Sequence, residues 1–176
     1  MKKLIPVLLI AAVFTGCKLF DELRTFNMAY SVDFTIPSSS VINLPISLPS
    51  PPITTNSTQK FEDEGIQTGW IESIKLNDLG IQIVNPSGED FGFLNSVHIY
   101  ISADGQSETL IASKSPVSEN AGGSISLDIA DVDLFPFISQ ANFSLRTEAV
   151  TDEGLLYDVD IRADMNVEVK ATIPGT

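Results

Sequence analysis

Residues 159–173 alternate between apolar and polar side chains without interruption. The apolar positions share one phase and are Val159, Ile161, Ala163, Met165, Val167, Val169, Ala171 and Ile173. A period of two over this length predicts a β-strand with one buried face. A strand of this length runs the full height of a β-sandwich or takes part in two sheets. The chain is therefore expected to fold around antiparallel sheet.

Shorter segments repeat the same alternation and are separated by turn residues. They are residues 26–36, 97–101, 109–113, 125–129 and 143–149. Asp104-Gly105 predicts a hairpin between two of them. About seven to nine strands and no long helical period predict an all-β fold, an antiparallel β-sandwich with immunoglobulin-like topology.

Breaks in the alternation predict local features. The phase slips at Asn77-Asp78, which indicates a β-bulge. Residues 131–138 predict one capped helical turn over the open end of a sheet, and residues 68–73 a second short helix. Residues 151–154, Thr-Asp-Glu-Gly, predict a hairpin that joins the last two strands.

Half of the ten prolines fall within residues 37–56. Proline has no N–H to donate to a ladder, so this segment is either a sheet edge or a linker that wraps the domain. Its apolar residues favour packed edge segments over a free linker. These residues are Val41, Ile42, Leu44, Ile46, Leu48 and Ile53.

The N-terminus has the parts of a secretory signal peptide. Lys2 and Lys3 precede an apolar run over residues 4–14, which is too short for a spanning helix of about twenty residues. The stretch Val13-Phe14-Thr15-Gly16-Cys17 then resembles the lipobox of bacterial lipoproteins. That resemblance implies cleavage before Cys17 and acylation of its thiol.

The lipobox divides the chain into three parts. Residues 1–16 are the signal peptide, residues 17–25 the lipidated cysteine and a tether, and residues 26–176 the β-sandwich domain. Acyl chains on Cys17 anchor the protein to a membrane, because two chains bind stably where one does not. Lys18 replaces the Asp that retains lipoproteins at the inner membrane, which favours the outer membrane, on its periplasmic face or at the cell surface.

Composition limits the partners. Removal of residues 1–16 takes away two lysines and changes the formal net charge from −13 to −15. A surface this acidic is repelled by nucleic acid, so no nucleic-acid role is expected. Acylated Cys17 leaves no thiol for a disulfide, and the fold depends on packing.

No catalytic arrangement is evident. His98 is the single histidine and sits in the middle of a strand, without a glycine-flanked serine elbow, so it is interpreted as a surface or half-buried strand residue. One histidine and no free cysteine exclude the common zinc sites. We expect no enzyme activity and no cofactor.

Calcium and glycan binding remain as alternatives. Carboxylates recur in two groups, Asp128, Asp131 and Asp133, and Asp158, Asp160 and Asp164. Neither group has the spacing of an EF-hand loop, and alternate carboxylates are typical of a solvated strand face. A glycan site needs exposed aromatic rings, and the candidates are Trp70, Phe91, Phe93, Tyr100, Phe135, Phe137 and Tyr157.

Two resemblances extend beyond the lipobox. Residues 26–40 and 93–105 are similar to a group of Gram-negative lipoproteins with no assigned activity, and Ile83-Val84-Asn85-Pro86 is similar to the small β-sandwich of late-embryogenesis-abundant proteins. Neither implies site residues. The sequence therefore predicts a membrane-anchored envelope lipoprotein with a non-catalytic structural or protein-interaction domain, or alternatively a surface-exposed protein that binds glycan or calcium.

Overall fold

The computed structural model describes residues 22–174. These residues form ten strands and two short α-helices. In chain order they are β1 (Glu22–Ile36), β2 (Pro45–Pro49), β3 (Ile53–Thr54), α1 (Ser57–Asp63), β4 (Ile71–Asn85), β5 (Leu94–Ser102), β6 (Thr109–Lys114), β7 (Ser124–Ser126), β8 (Asp128–Ile129), α2 (Phe135–Ile138), β9 (Asn142–Thr151) and β10 (Val159–Ile173).

The strands pair antiparallel in two sheets. Sheet 1 has the order β1-β10-β4-β7, and sheet 2 has the order β2-β9-β5-β6-β8, with β3 also paired to β9. The predicted all-β antiparallel sandwich is confirmed. The structure has ten strands rather than the expected seven to nine. Three of them, β3, β7 and β8, have only two or three residues and are too short to be recognised from alternation. In immunoglobulin domains the first and last strands lie in different sheets, whereas here β1 and β10 are neighbours.

β10 lies in the interior of sheet 1 between β1 and β4. Its predicted apolar face is buried from Val159 to Ala171, and only Ile173 is partly exposed. It pairs with all fifteen residues of β1 without a shift in register. This face contributes seven buried side chains to the hydrophobic core.

The predicted bulge in β4 is confirmed. Asp78 and Leu76 pair with consecutive residues of β10, so Asn77 is left over. Two more shifts leave out Val84 and Glu72. A bulge bends the strand and increases its twist, and three of them curve β4 over the core.

Two predicted connections are wrong. Residues 152–158 do not close a hairpin, because β9 belongs to sheet 2 and β10 to sheet 1. Residues 125–129 are not one strand, because β7 pairs with β4 while β8 pairs with β6. Leu127 lies between β7 and β8, is buried, and donates its N–H to Leu79 O at 2.9 Å. Alternation predicts that a segment is extended but carries no information on which sheet receives it.

The tether predicted over residues 17–25 is too long at its C-terminal end. β1 begins at Glu22, and residues 22–25 pair with residues 170–173 of β10. The apolar–polar alternation did not predict this first part of β1, because its apolar residue, Leu23, is exposed and not in phase with the buried face. Residues 1–21, and with them the signal peptide and Cys17, lie outside the described residues.

Short helices close the two sheets near the start of β1. The predicted turn over residues 131–138 is confirmed as α2, where Leu134, Phe137 and Ile138 are buried. The second predicted helix is a single 3₁₀ turn, Thr68–Trp70.

α1 was not predicted; it buries Phe61, whose ring packs edge-to-face on Phe26. Within residues 22–174, no helix is long and apolar enough to cross a membrane.

Candidate functional site at the distal loops

Four loops meet at the end of the sandwich where β1 finishes. They are residues 37–44, 86–90, 115–123 and 152–158, here called the distal loops. β1 has fifteen residues, which at about 3.3 Å each place the distal loops roughly 46 Å from Glu22. The site is therefore at the opposite end of the domain from the residue that follows Cys17 and its tether.

Two of the distal loops expose a group of large apolar side chains. The exposed fractions are 61% for Val41, 44% for Ile42, 56% for Leu44 and 92% for Leu156. We call these four residues the distal patch. Single exposed apolar residues are common on soluble proteins, so the interest of these four lies in their position on two loops that are bonded to each other.

The distal patch corrects part of the sequence prediction for residues 37–56. Ile46, Leu48 and Ile53 do pack against the core from β2 and β3 at the edge of sheet 2, as predicted. Val41, Ile42 and Leu44 do not pack and are exposed. Apolar composition alone could not separate the two sets, because much of any protein surface is apolar.

Hydrogen bonds hold the two patch-bearing loops together. Asn43 donates its N–H to Thr151 O at 2.7 Å. Ser38 donates to Asp158 Oδ1 twice, from its backbone N at 2.8 Å and from its hydroxyl at 2.9 Å. These bonds hold the pKa of the Asp158 carboxyl below its usual value, the backbone N–H having the larger effect. The side chain of Ile42 also lies close to Gly154, since a Cβ placed on Gly154 would be 3.9 Å from Ile42 Cδ1. Loops 37–44 and 152–158 are therefore within van der Waals range of each other.

A further contact joins the third distal loop. Tyr157 donates its hydroxyl to Glu89 Oε2 at 2.5 Å. The bond to the Glu89 carboxylate raises the pKa of Tyr157. Asp152 donates its N–H to Phe93 O at 3.1 Å. The distal patch is therefore carried on loops that are bonded to one another.

The charge of the distal loops has one sign. The distal loops contain no Lys or Arg, and their carboxylates are Glu89, Asp90, Glu119, Asp152, Glu153 and Asp158. Apolar side chains on loops that carry only negative charge are complementary to a partner surface that combines apolar and basic side chains.

An open hollow lies beside the distal patch. It has a volume of about 400 Å³ and is lined by eight residues between Pro37 and Ser47, including Val41 and Leu44 but not Ile42. Its walls come from one loop and the start of β2, so it is a surface depression suited to a protruding side chain of a partner.

The first group of predicted calcium ligands does not converge. Asp128 binds Lys114 Nζ at 3.3 Å, and Asp131 binds Lys75 Nζ at 2.8 Å. Asp133 accepts two backbone N–H groups, from Ile74 at 3.0 Å and Phe135 at 3.1 Å. Among residues 22–174, no group of three or more His, Cys, Asp or Glu side chains is arranged to hold a metal ion.

The second carboxylate group forms a ladder across the outer face of sheet 1. Asp160 accepts from Thr35 of β1 at 2.7 Å and from Asn85 of β4 at 3.3 Å. Asp164 accepts from Ser31 at 2.5 Å and Gln82 at 3.4 Å. These two carboxylates of β10 are thus each bound by side chains of both neighbouring strands.

His98 is half-buried in β5, as predicted, opposite Glu148 of β9 and Ser113 of β6. Its Nδ1 is buried and has no hydrogen-bond partner within residues 22–174. Neither neighbouring side chain bonds it, so no relay between a base and a nucleophile is formed there.

Most of the predicted aromatic candidates are not available to a glycan. Phe91, Phe93 and Phe137 are core residues, and Trp70 and Phe135 pack against the core. Tyr100 is half-buried beneath Arg146. Tyr157 is 46% exposed, and the other six candidates are buried or partly buried.

Comparison with known proteins adds little. No family model matches the chain, and no curated protein matches it either. A solved structure from desmodium yellow mottle tymovirus is similar over 100% of this chain and 98% of that chain, at 9% sequence identity and a TM-score of 0.25. A likeness this weak carries no argument about function.

Proposed function

We propose that the protein is a bacterial lipoprotein, anchored to the outer membrane by acyl chains on Cys17, whose sandwich binds a protein partner through the distal patch. The observation that carries the binding role is the exposure of Val41, Ile42, Leu44 and Leu156 on loops bonded to one another. The signal-peptide pattern and the lipobox-like stretch before Cys17 support the anchor.

The proposed role is non-catalytic. His98 lies opposite Ser113 and Glu148, but its Nδ1 has no hydrogen-bond partner among the described residues. Asp160 and Asp164 are bound by side chains of neighbouring strands. The partner we expect carries an apolar site bordered by Lys or Arg, because the distal loops supply apolar side chains and only negative charge.

Intact-mass analysis tests the anchor. The protein recovered from membranes is expected to have the mass of residues 17–176 plus acyl chains. Cys17→Ala should lose both the acyl mass and the membrane association. An unacylated wild-type chain in the soluble fraction would refute the anchor and leave the binding role to be judged separately.

Site-specific cross-linking in cells tests the binding role. A photoreactive residue at Leu156 should give one discrete protein adduct, while the same residue at Gln106, exposed in the hairpin turn at the other end, should not. Val41→Ser in the Leu156 background should weaken the adduct. Equal labelling at both ends would mean that the distal patch is not a binding site.

A further inference from the structure

The two sheets have four edges, and three of them are unsuited to pairing. The edge strands β7 and β8 have three and two residues. β2 carries Pro45 and Pro49, which lack an N–H. Short edges and prolines are the usual protection of β-proteins against pairing with other chains.

β1, the fourth edge, has none of these protections. It is fifteen residues long, contains no proline or glycine, and has no bulge along its pairing with β10. Its charged residues are Glu22, Arg24 and Asp33. No backbone hydrogen bond joins β1 to a described segment other than β10. A long regular edge of this kind can accept a further strand.

The hydrogen bonds of sheet 1 determine which groups of β1 point outward. Leu79 of β4 accepts a backbone hydrogen bond from Leu127, on the β7 side, so its backbone groups point away from β10. Met165 of β10 lies opposite Leu79 and therefore directs its own backbone groups to the other side, toward Tyr30 of β1. Bonded positions alternate along an antiparallel strand. The seven odd-numbered residues of β1 from Leu23 to Thr35 therefore direct their backbone groups away from the sheet.

Side chains along this edge are also incompletely covered. The inward-facing residues Phe26, Tyr30, Val32 and Phe34 are only partly buried, whereas Met28 and Ile36 are buried fully. An added strand would remove water from the partly buried side chains, and apolar burial favours association by about 25 cal/mol per Å².

We propose that β1 pairs antiparallel with β1 of a second copy of this chain, centred on Ala29, so that sheet 1 continues across two molecules. Ala29 is the midpoint of the strand, and this register alone pairs all fifteen residues. Glu22 then faces Ile36, Arg24 faces Phe34, and Asp33 faces Thr25. No like charges lie opposite each other, and all outward N–H groups find acceptors.

The charged residues favour antiparallel over parallel pairing of two copies. Parallel pairing in register would set Asp33 against Asp33 and Arg24 against Arg24, which is destabilising. The two Glu22 ends of the antiparallel pair lie roughly 46 Å apart. If the proposed anchoring holds, the pair lies with its strands along the bilayer. The pairing itself does not depend on the anchor.

Cysteine cross-linking in isolated membranes tests the register. Ala29→Cys in the otherwise wild-type chain places two thiols on residues about 5.5 Å apart at Cα, within reach of a disulfide. Asp33→Cys is the matched control, because its two copies would be about 26 Å apart. We expect an oxidant to give a covalent homodimer for Ala29→Cys, and none for Asp33→Cys or for wild type, whose single cysteine is Cys17.

Sedimentation in detergent tests the edge independently. Ala29→Pro removes an outward N–H that β10 does not use, which an edge strand tolerates. We expect wild type to sediment as a dimer and Ala29→Pro as a monomer with an unchanged circular dichroism spectrum. Ser47→Pro, on the edge already occupied by Pro45 and Pro49, should remain dimeric.

Several outcomes would overturn the proposal. These are a monomeric wild type with no Ala29→Cys dimer, equal cross-linking at Ala29 and Asp33, or an Ala29→Cys adduct to a different protein. If Ala29→Pro fails to fold, the cross-linking result decides alone. The anchor proposed for Cys17 is judged by mass, so its failure is separable.

Discussion

The guanidinium of Arg146 lies over the ring of Tyr100, with Cζ 4.2 Å from the ring centroid. Its Nε and Nη2 each donate to Glu108 at 2.8 Å, and Nη1 donates to Glu148 at 3.2 Å. One side chain of β9 thus holds β5 and the residue before β6. It fastens three neighbouring elements on the outer face of sheet 2.

Arg146→Ala should lower the free energy of unfolding by about 1–2 kcal/mol, from loss of the ring contact and the paired hydrogen bonds. The matched variant is Arg162→Ala, which removes a similar paired contact to Asp33 from a more exposed position. It should cost clearly less than Arg146→Ala, because solvent screens an exposed ion pair. Urea denaturation measures both, and equal losses would contradict the contribution of Tyr100.

Stability should fall as the pH is lowered from about 6 to about 3. The Arg146 hydrogen bond holds the pKa of Glu108 below its usual 4.5, and the Arg162 hydrogen bond lowers the pKa of Asp33. In this pH range the unfolded state binds more protons than the folded state. The stabilisation from these ion pairs is therefore fully present above the pKa of the unfolded carboxyls and is lost as the pH falls through their lower folded-state pKa. Glu108→Gln should show a shallower decrease in its urea midpoint. An identical slope would show that the ion pair does not contribute.

Gly92→Ala should destabilise the domain by about 1–3 kcal/mol. A Cβ at Gly92 would lie 2.9 Å from Glu119 O, a backbone atom that cannot move aside easily, and 2.9 Å from Asp90 Oδ1. Gly122→Ala is the control, because nothing lies within 4 Å of its Cβ. Its effect should stay within about 0.5 kcal/mol in thermal unfolding. A neutral Gly92→Ala would mean that loop 115–123 shifts freely.

Asp133→Ala should cost about 1–2 kcal/mol, because two backbone N–H groups lose their acceptor, one on β4 and one at the start of α2. Asp131→Ala breaks a pair whose carboxylate is 94% exposed and should leave the stability almost unchanged. Unfolding of both variants by urea separates the two roles. Similar effects would contradict the assignment.

Features that depend on local pattern were predictable, as β10 and the Asn77 bulge show. The polar residues of β10 alternate with residues buried in the core, and one extra residue in β4 disturbs the phase of its neighbours. The bulges at Val84 and Glu72 lie near the strand ends, where few residues remain to reveal a shift in phase.

Features that depend on tertiary arrangement were not predictable. Nothing in residues 152–158 indicates that the chain leaves one sheet for the other. α1 has only seven residues, too few for a helical period to be recognised beside its buried Phe61. The distal patch depends on how two loops far apart in sequence meet, and Leu156 in particular has no local feature that distinguishes it from a core leucine.

The pairing of β1 with β10 has a consequence for how the chain is made. Their closest paired residues in sequence, Ile36 and Val159, are more than 120 residues apart, so this ladder belongs to the contacts that form slowly. Synthesis proceeds from the N-terminus. β1 therefore emerges before its partner strand and stays unpaired until the last strand is made, which leaves a long apolar segment prone to aggregation in the meantime.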